Sequence, residues 1–150
     1  MAGYSGTPLV KKLGIRAGAR IALLRAPAGF AATLGALPPG ATLAPATGWR
    51  CEVVLLFVAT RARLAGDLPN AMSGLAAAGG LWLAWPKRAA GVPTDLTEEA
   101  VRAAGLAAGL VDNKVCAIDD TWSGLRFVVR VADRARWPRA GEHREVADEQ

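Results

Sequence analysis

Three side chains that could act together in catalysis stand at alternate positions late in the chain. They are Asp112, Lys114 and Cys116. Alternate residues of a β-strand face the same side, so a carboxylate, an ammonium and a thiol would form a row. A neighbouring cation lowers the pKa of a thiol and makes a nucleophile of it. The alternative is a surface Asp–Lys pair beside a buried cysteine, and the sequence leaves both interpretations open.

Further candidates follow the apolar segment 81–86, which is typical of a buried strand closed by a proline. Open α/β sheets bind ligands at the carboxyl ends of their strands. Trp85 and Lys87 are therefore candidate ligand-binding residues, and Asp95 follows in the next connection. Trp82 and Trp85 should face opposite sides of the strand. The alternative places both rings under helices and Lys87 in solvent.

The segment 119–124 concentrates residues that form turns. Asp and Ser side chains there can bond back to the backbone, and Gly124 is expected to take a positive φ. Trp122 is not needed for a turn, so it is a candidate contact for a partner if exposed, or a core residue if folded back. We expect this turn or Asp112 to come within reach of Lys87, and Lys87→Ala to change ligand binding more than the melting temperature.

Several classes of site are excluded. The only histidine, His143, lies in a charged C-terminal segment, which removes Ser-His-Asp and Cys-His catalysis and histidine metal sites. The turn 25–30 lacks the glycines of a phosphate loop, and Pro27 has no N–H to offer. Cys51 and Cys116 form no Cys-x-x-Cys pair and are expected to be reduced. No motif requires a cofactor or a metal.

Composition points to one globular domain. The 150 residues are 52% hydrophobic and 21% charged, with a net charge of +5. The basic residues are mostly scattered arginines, and the densest run, Arg130–Arg144, is interleaved with acidic residues, which disfavours nucleic acid as a partner. The sequence has neither a membrane-length apolar run nor a signal-peptide layout, so we predict a cytoplasmic protein. A small molecule or a protein remains as partner, and the oligomeric state stays open.

Apolar periodicity and turn signals predict alternating helices and strands, hence a three-layer Rossmann-like α/β domain with a mostly parallel sheet and a C-terminal antiparallel hairpin. We expect this domain to span 1–134 and a disordered charged tail to span 135–150. The predicted helices are 7–13 (capped by Thr7), 30–37, 61–77 (interrupted near Pro69 and ended by Ala78, Gly79 and Gly80) and 95–109. The predicted strands are 20–25, 42–43, 51–59 and 81–85, followed by a hairpin of 111–118 with 125–131.

Two local predictions refine this layout. Asp95 and Glu98 have the spacing of a capping box at the start of the last helix. In the final strand one alternate set is uniformly apolar and should face inward, opposite Arg126 and Arg130. That set is Leu125, Phe127, Val129 and Val131.

The blocks Ser5–Gly14, Trp82–Lys87 and Gly109–Leu125 resemble a bacterial domain-of-unknown-function family, numbered 3052 and common in actinobacteria. The resemblance covers about residues 3–134 and implies kinship without an activity. The layout of Val53–Val131 is also similar to S-adenosylmethionine-dependent methyltransferases. The glycine motif of their first strand and the acidic residue after their second strand are not recognisable here.

An α/β frame without a catalytic histidine or phosphate glycines favours a non-catalytic or regulatory binding module. One alternative is a small enzyme that uses Lys87, Asp95, Asp112, Lys114 and Cys116 at the carboxyl edge of the sheet, since burial and proximity can tune the pKa values of such groups. Another is a protein-interaction module that uses Trp122.

Overall fold

The computed structural model describes residues 7–44 and 50–137, which form one six-stranded sheet in the order β2-β1-β3-β4-β6-β5. The first four strands along the chain are mutually parallel, and β6 runs antiparallel to both of its neighbours. The strands are β1 Arg20–Leu24, β2 Thr42–Leu43, β3 Cys51–Phe57, β4 Leu75–Pro86, β5 Leu110–Ala117 and β6 Trp122–Val129. The predicted mostly parallel sheet with a C-terminal hairpin is confirmed.

Helices cover both faces of the sheet, which confirms the three layers. One core cluster lies against α3 and α4, and the other lies against the segment of α1 and against α2. In the described part of the chain no helix is long and apolar enough to cross a membrane. The helices are α1 Leu9–Lys12, α2 Phe30–Leu34, α3 Arg61–Ser73 and α4 Glu98–Ala107, with 3-10 turns at Arg88–Ala90 and Val131–Arg136.

The apolar runs of β3 and β4 are buried because both faces of these strands are covered. Trp82 and Trp85 belong to different core clusters, as the alternation predicted. The Trp82 side chain is fully buried, and its indole nitrogen donates a hydrogen bond to the carbonyl of Leu13 at 3.1 Å. This bond ties the end of α1 to the centre of the sheet.

The prediction for residues 74–80 was wrong. They were expected to end a helix, but α3 ends at Ser73 and β4 already begins at Leu75. The register of β3 with β4 shifts between Cys51 and Val53: Cys51 pairs with Leu75, whereas Val53 pairs with Gly80, so β4 bulges between these two pairs. A Cβ at Gly79 would lie 2.7 Å from the carbonyl oxygen of Glu52, so this glycine permits the close approach of β4 to β3.

Pro69 does not interrupt α3, because packing outweighs its local penalty. Thr60 caps the helix by accepting a hydrogen bond from the Arg63 N–H, and Leu64 and Leu68 bury its apolar face. Near the start of the chain, the N-cap of α1 is Pro8 and not Thr7, so the helix begins at Leu9, one residue later than a Thr7 cap would place it.

The last strand confirms most of its predicted register. Leu125, Phe127 and Val129 are buried, and Arg126 lies on the opposite face. The expectation for Val131 was wrong, because the strand ends at Val129 and Val131 is 76% exposed in the following turn. Gly124 was also mispredicted: it sits inside β6 without a positive φ, where a Cβ would crowd Ile118 at 2.8 Å.

The core continues past the expected boundary at residue 134. Trp137 packs on the α3 and α4 side, and its indole nitrogen donates to the carbonyl of Leu75 at 2.8 Å. The predicted disordered tail spans 135–150; residues 135 and 136 end the 3-10 turn, and residues 138–150, including His143, lie outside the described residues.

Candidate functional site

The carboxyl end of β4 opens into a cleft of about 720 Å³, which we call the carboxyl-edge cleft. Its volume falls in the range of small-molecule sites, about 300–1,000 Å³. The cleft lies between the end of the sheet, the connection 87–97 and the start of α4. Its polar and aromatic lining includes Trp85, Lys87, Arg88, Asp95, Glu98 and Ser123.

Lys87 is positioned by the hairpin turn. Pro86 ends the strand, and the backbone N–H of Lys87 donates to the carbonyl of Thr121 at 2.7 Å. The expectation that the 119–124 turn comes beside Lys87 is therefore confirmed. Asp112 is not within reach, because it lies level with Leu81, five residues and roughly 16 Å before the end of β4.

The carboxylates of the cleft already have partners, whereas its cations do not. Asp95 accepts from the Arg61 N–H at 2.8 Å, and Glu98 pairs with Arg102 at 2.7 Å. Lys87 and Arg88 form no ion pair within residues 7–44 and 50–137. The cleft therefore presents positive charge at the edge where this type of sheet binds ligands.

The wall of the cleft is held in place by Thr94. Its hydroxyl donates to the carbonyl of Ala59 at 2.6 Å and accepts from the Leu96 N–H at 3.0 Å. The predicted capping box of α4 was wrong, because Thr97 is the N-cap and accepts from the Ala100 N–H. Asp95 instead binds the first turn of α3, so one carboxylate joins the starts of two helices.

The row of Asp112, Lys114 and Cys116 does not exist. The β5–β6 register shifts between Asp112 and Lys114, and this bulge sends the two side chains to opposite faces. Asp112 bonds Arg102 of α4 at 2.9 Å, and this bond lowers the pKa of Asp112. Strict alternation could not reveal the extra residue, Asn113.

The Cys116 thiol is not activated. Lys114 shares its face, and Lys12 also acts on it. Burial raises the pKa of Cys116 by more than these two cations lower it. Cys116 and Lys114 lie away from the carboxyl-edge cleft, and Cys51 is buried as a free thiol. The nucleophile hypothesis is therefore not supported, because a protonated thiol is a poor nucleophile.

Trp122 is not an exposed tip. Its ring meets Phe57 edge-on at 5.1 Å, and Phe57 meets Phe30 at 4.9 Å. Asp119 closes the turn as predicted, since its carboxylate accepts from the Thr121 and Trp122 N–H groups at 2.8 Å. The aromatic column fastens the hairpin turn to the sheet, which removes the proposed contact role of Trp122.

No protein-family model matches the chain, and no curated protein matches it. Solved structures do. Fibrillarin from Aeropyrum pernix, with natively bound S-adenosyl-L-methionine, is 17% identical in sequence and has a TM-score of 0.50. The match covers 84% of this chain and 70% of the fibrillarin chain. Magnesium protoporphyrin IX methyltransferase from Synechocystis PCC 6803, with bound S-adenosylmethionine, is 12% identical and has a TM-score of 0.47. That match covers 81% of this chain and 74% of the methyltransferase chain.

The likeness to fibrillarin shows the fold alone, which is the Rossmann-like α/β fold of S-adenosylmethionine-dependent methyltransferases. The looser of the two resemblances seen in the sequence is thus supported. The expectation of a non-catalytic or regulatory module is contradicted by the fold neighbour fibrillarin, which holds natively bound S-adenosyl-L-methionine.

The turn after β1 does not fit S-adenosylmethionine in the manner of a glycine-rich loop. Arg25 takes a positive φ of 57° there and pairs with Asp67 of α3. Pro27 has no N–H, and Phe30 fills the end of the sheet by packing on Phe57. No carboxylate stands between β2 and Cys51 in the sequence to bind a ribose. The methyltransferase fold is present without these parts of a donor site.

Proposed function

We propose that the protein is an enzyme of the methyltransferase fold that acts on a small anionic substrate in the carboxyl-edge cleft. The observation that carries the proposal is the pair Lys87 and Arg88, which line this cleft and form no ion pair in the described chain. Glu98 pairs with Arg102, and the Asp95 carboxylate is turned to the backbone N–H of Arg61, so an incoming acid meets little competition for Lys87 and Arg88.

The lining suggests the shape of the substrate. Lys87 and Arg88 would bind a carboxylate or a phosphate, because charge-assisted hydrogen bonds are the stronger kind. Ser123 adds a hydroxyl that can donate or accept. Trp85, Val92 and Leu96 form an apolar wall. An acidic group on a short apolar body fits this combination.

Methyl transfer is the reaction suggested by analogy of fold. S-adenosylmethionine would supply the methyl group, although the turn after β1 offers no glycine cradle for it. Equilibrium dialysis with labelled S-adenosylmethionine decides this part of the proposal. Saturable binding that S-adenosylhomocysteine displaces would assign methyl transfer. Absence of saturation at millimolar donor would remove methyl transfer and leave an enzyme of another reaction class.

The substrate part is tested by thermal-shift screening with small carboxylic acids and phosphate esters, followed by titration of the strongest hit. Lys87→Ala should weaken its binding about tenfold or more, because a hydrogen bond to a charged group is worth roughly 1.5–3 kcal/mol. The melting temperature should change little, since a half-exposed lysine without a partner adds little stability.

Arg63→Ala is the matched control. Arg63 is exposed on α3, away from the cleft, and its loss removes the same charge. An equal loss of affinity in both variants, or no loss in Lys87→Ala, would refute the assignment of the cleft.

Three other expectations also remain proposals. They are kinship with family 3052, a cytoplasmic location, and the division into one domain over 1–134 and a charged tail over 135–150. The packing of Trp137 favours a domain boundary a few residues later.

A further inference from the structure

A second cavity, of about 710 Å³, lies at the opposite end of the sheet, on the face covered by α1. We call it the amino-edge cavity. It is separate from the carboxyl-edge cleft, because the stretch of β4 from Gly80 to Pro86 spans roughly 20 Å. The side chains that give it positive charge are Lys11, Lys12, Arg16, Lys114 and Arg126.

Among the described residues, Glu52 is the only carboxylate that lines this cavity, and it is bound to Arg20. Glu52 accepts from the Arg20 N–H at 2.7 Å and from its guanidinium at 3.4 Å. Burial raises the pKa of Glu52, but these bonds lower it more, so the carboxylate stays ionised and turned to Arg20. None of the five cations has an ion pair with a residue in the described ranges.

Neutral acceptors orient three of these cations without cancelling their charge. The Lys12 ammonium donates to the carbonyl of Ala117 at 3.2 Å, and the Lys114 ammonium donates to the carbonyl of Lys12 at 3.0 Å. These reciprocal bonds fasten the segment of α1 to β5. The Arg126 guanidinium donates to the Asn113 amide oxygen at 3.3 Å.

The position of Arg126 is built into the backbone. A Cβ at Gly80 would overlap the Arg126 guanidinium, so the glycine makes the space that the side chain occupies. Burial lowers the pKa of Arg126, and the charge of Arg16 lowers it further. A half-buried cation next to another cation costs folding free energy unless an anion joins it.

The β-bulge supplies the rest of the lining. It places Asn113 and Lys114 on the cavity side, whereas Asp112 turns to Arg102 on the other face. Bulges re-aim side chains next to functional sites. Here the bulge separates a carboxylate from the cations that it would otherwise neutralise.

We propose that the amino-edge cavity binds a small molecule that carries at least two phosphate groups. Several fixed cations around one concave space match a compact polyanion, and arginine and lysine are the usual phosphate ligands in proteins. The part of the lining that the structure describes has no aromatic side chain on which a base could stack, so the phosphate groups supply the recognition. This site goes beyond the proposed function and does not depend on it.

Tripolyphosphate is the probe, and titration calorimetry is the measurement. The wild-type protein should bind one equivalent. Arg126→Gln and Lys114→Gln should each weaken binding about tenfold or more, because each removes a charge-assisted contact. Circular dichroism melts confirm that both variants fold. Added tripolyphosphate should raise the melting temperature of the wild type and leave that of Arg126→Gln nearly unchanged.

Arg63→Gln removes the same charge outside the cavity and should bind tripolyphosphate like the wild type. Lys87→Ala should do the same, which separates this site from the carboxyl-edge cleft. Three results would overturn the proposal: no saturable binding, an equal loss in Arg63→Gln, or tighter binding of a single-stranded oligonucleotide than of tripolyphosphate through the same side chains. The last result would assign a nucleic-acid surface instead.

Discussion

The two ends of the sheet differ in how their charged side chains are paired and held in position. At the carboxyl end, Asp95 accepts from a backbone N–H of α3, Glu98 pairs with Arg102 of its own helix, and two cations are left at the rim of a cleft. At the amino end, five cations converge and the single carboxylate of the lining is drawn away by Arg20. Each end therefore carries unneutralised positive charge, but only the amino end fixes its cations by a bulge and a glycine.

The carboxyl-edge cleft is a site that the fold itself creates, whereas the amino-edge cavity depends on particular residues of this chain. The carboxyl edge is where any open α/β sheet binds ligands, so its cleft follows from topology. The amino-edge cavity needs Gly80, Asn113 and the approach of α1. Substitutions that act on one end and spare the other test whether the two sites are independent.

The largest expected effect is on stability at the amino end. In Gly79→Ala the new Cβ would lie 2.7 Å from the carbonyl oxygen of Glu52 and 3.0 Å from that of Cys51. Because backbone atoms cannot swing away, we expect a loss of about 1–3 kcal/mol in the free energy of unfolding, measured by urea denaturation.

Gly66→Ala is the control for this prediction, since the space around Gly66 in α3 is open. It should stabilise the protein by roughly 0.5–1 kcal/mol, because alanine is the better helix former. A Gly79→Ala protein as stable as the wild type would mean that β4 does not closely contact Cys51 and Glu52 of β3 at this position.

An intermediate effect is expected for Gly80→Ala. The clash there is with the Arg126 side chain, which can move, so stability should fall less than in Gly79→Ala. Tripolyphosphate affinity should drop about tenfold, because the displaced guanidinium loses its place in the cavity. Titration of the same variant with the ligand of the carboxyl-edge cleft should give an unchanged Kd. A parallel loss at both ends would show that the sites are coupled.

The smallest effect is expected for Asp112→Asn. The folded-state pKa of Asp112 is lowered by Arg102, so this carboxylate stabilises the fold at pH values above its unfolded pKa of about 3.9. Wild type and variant should differ slightly at pH 7, and the difference should vanish as the pH falls through the lowered pKa. Denaturation curves between pH 7 and pH 3 measure this. A difference that does not shrink as the pH falls toward 3 would disprove the ion pair.

Tripolyphosphate binding by Asp112→Asn should equal that of the wild type, because Asp112 faces α4. A change in affinity would place this carboxylate on the cavity side and contradict the bulge.

The frame could be predicted from the sequence because apolar periodicity reports burial. The runs 20–24, 51–57 and 81–85 are strands covered on both faces, and even the two-residue strand Thr42–Leu43 is where the pattern put it. The hairpin was recognisable because its connection is too short for a crossover. Lys87 and Trp85 followed from the rule that ligands bind at carboxyl ends of strands.

The amino-edge cavity could not be predicted, because its parts are distant in sequence. Lys12 and Lys114 are brought together by tertiary contact alone, and an alternating pattern cannot show a one-residue bulge. Glycines 79 and 80 were taken for a helix end, since a helix stop and a crowded strand use the same residue for different reasons. Asp95 was assigned to the wrong helix because Thr97 competes for the same cap.

The hydrogen bond between the Trp82 indole and the Leu13 carbonyl allows the opening of α1 to be measured. An indole proton held at the centre of a sheet exchanges with solvent only when the segment that accepts it lifts away. That segment also carries Lys11 and Lys12. The hydrogen-exchange rate of the Trp82 indole proton, measured by NMR, would therefore report how often α1 detaches from the sheet. The same measurement with a bound anion would show whether the anion slows this opening.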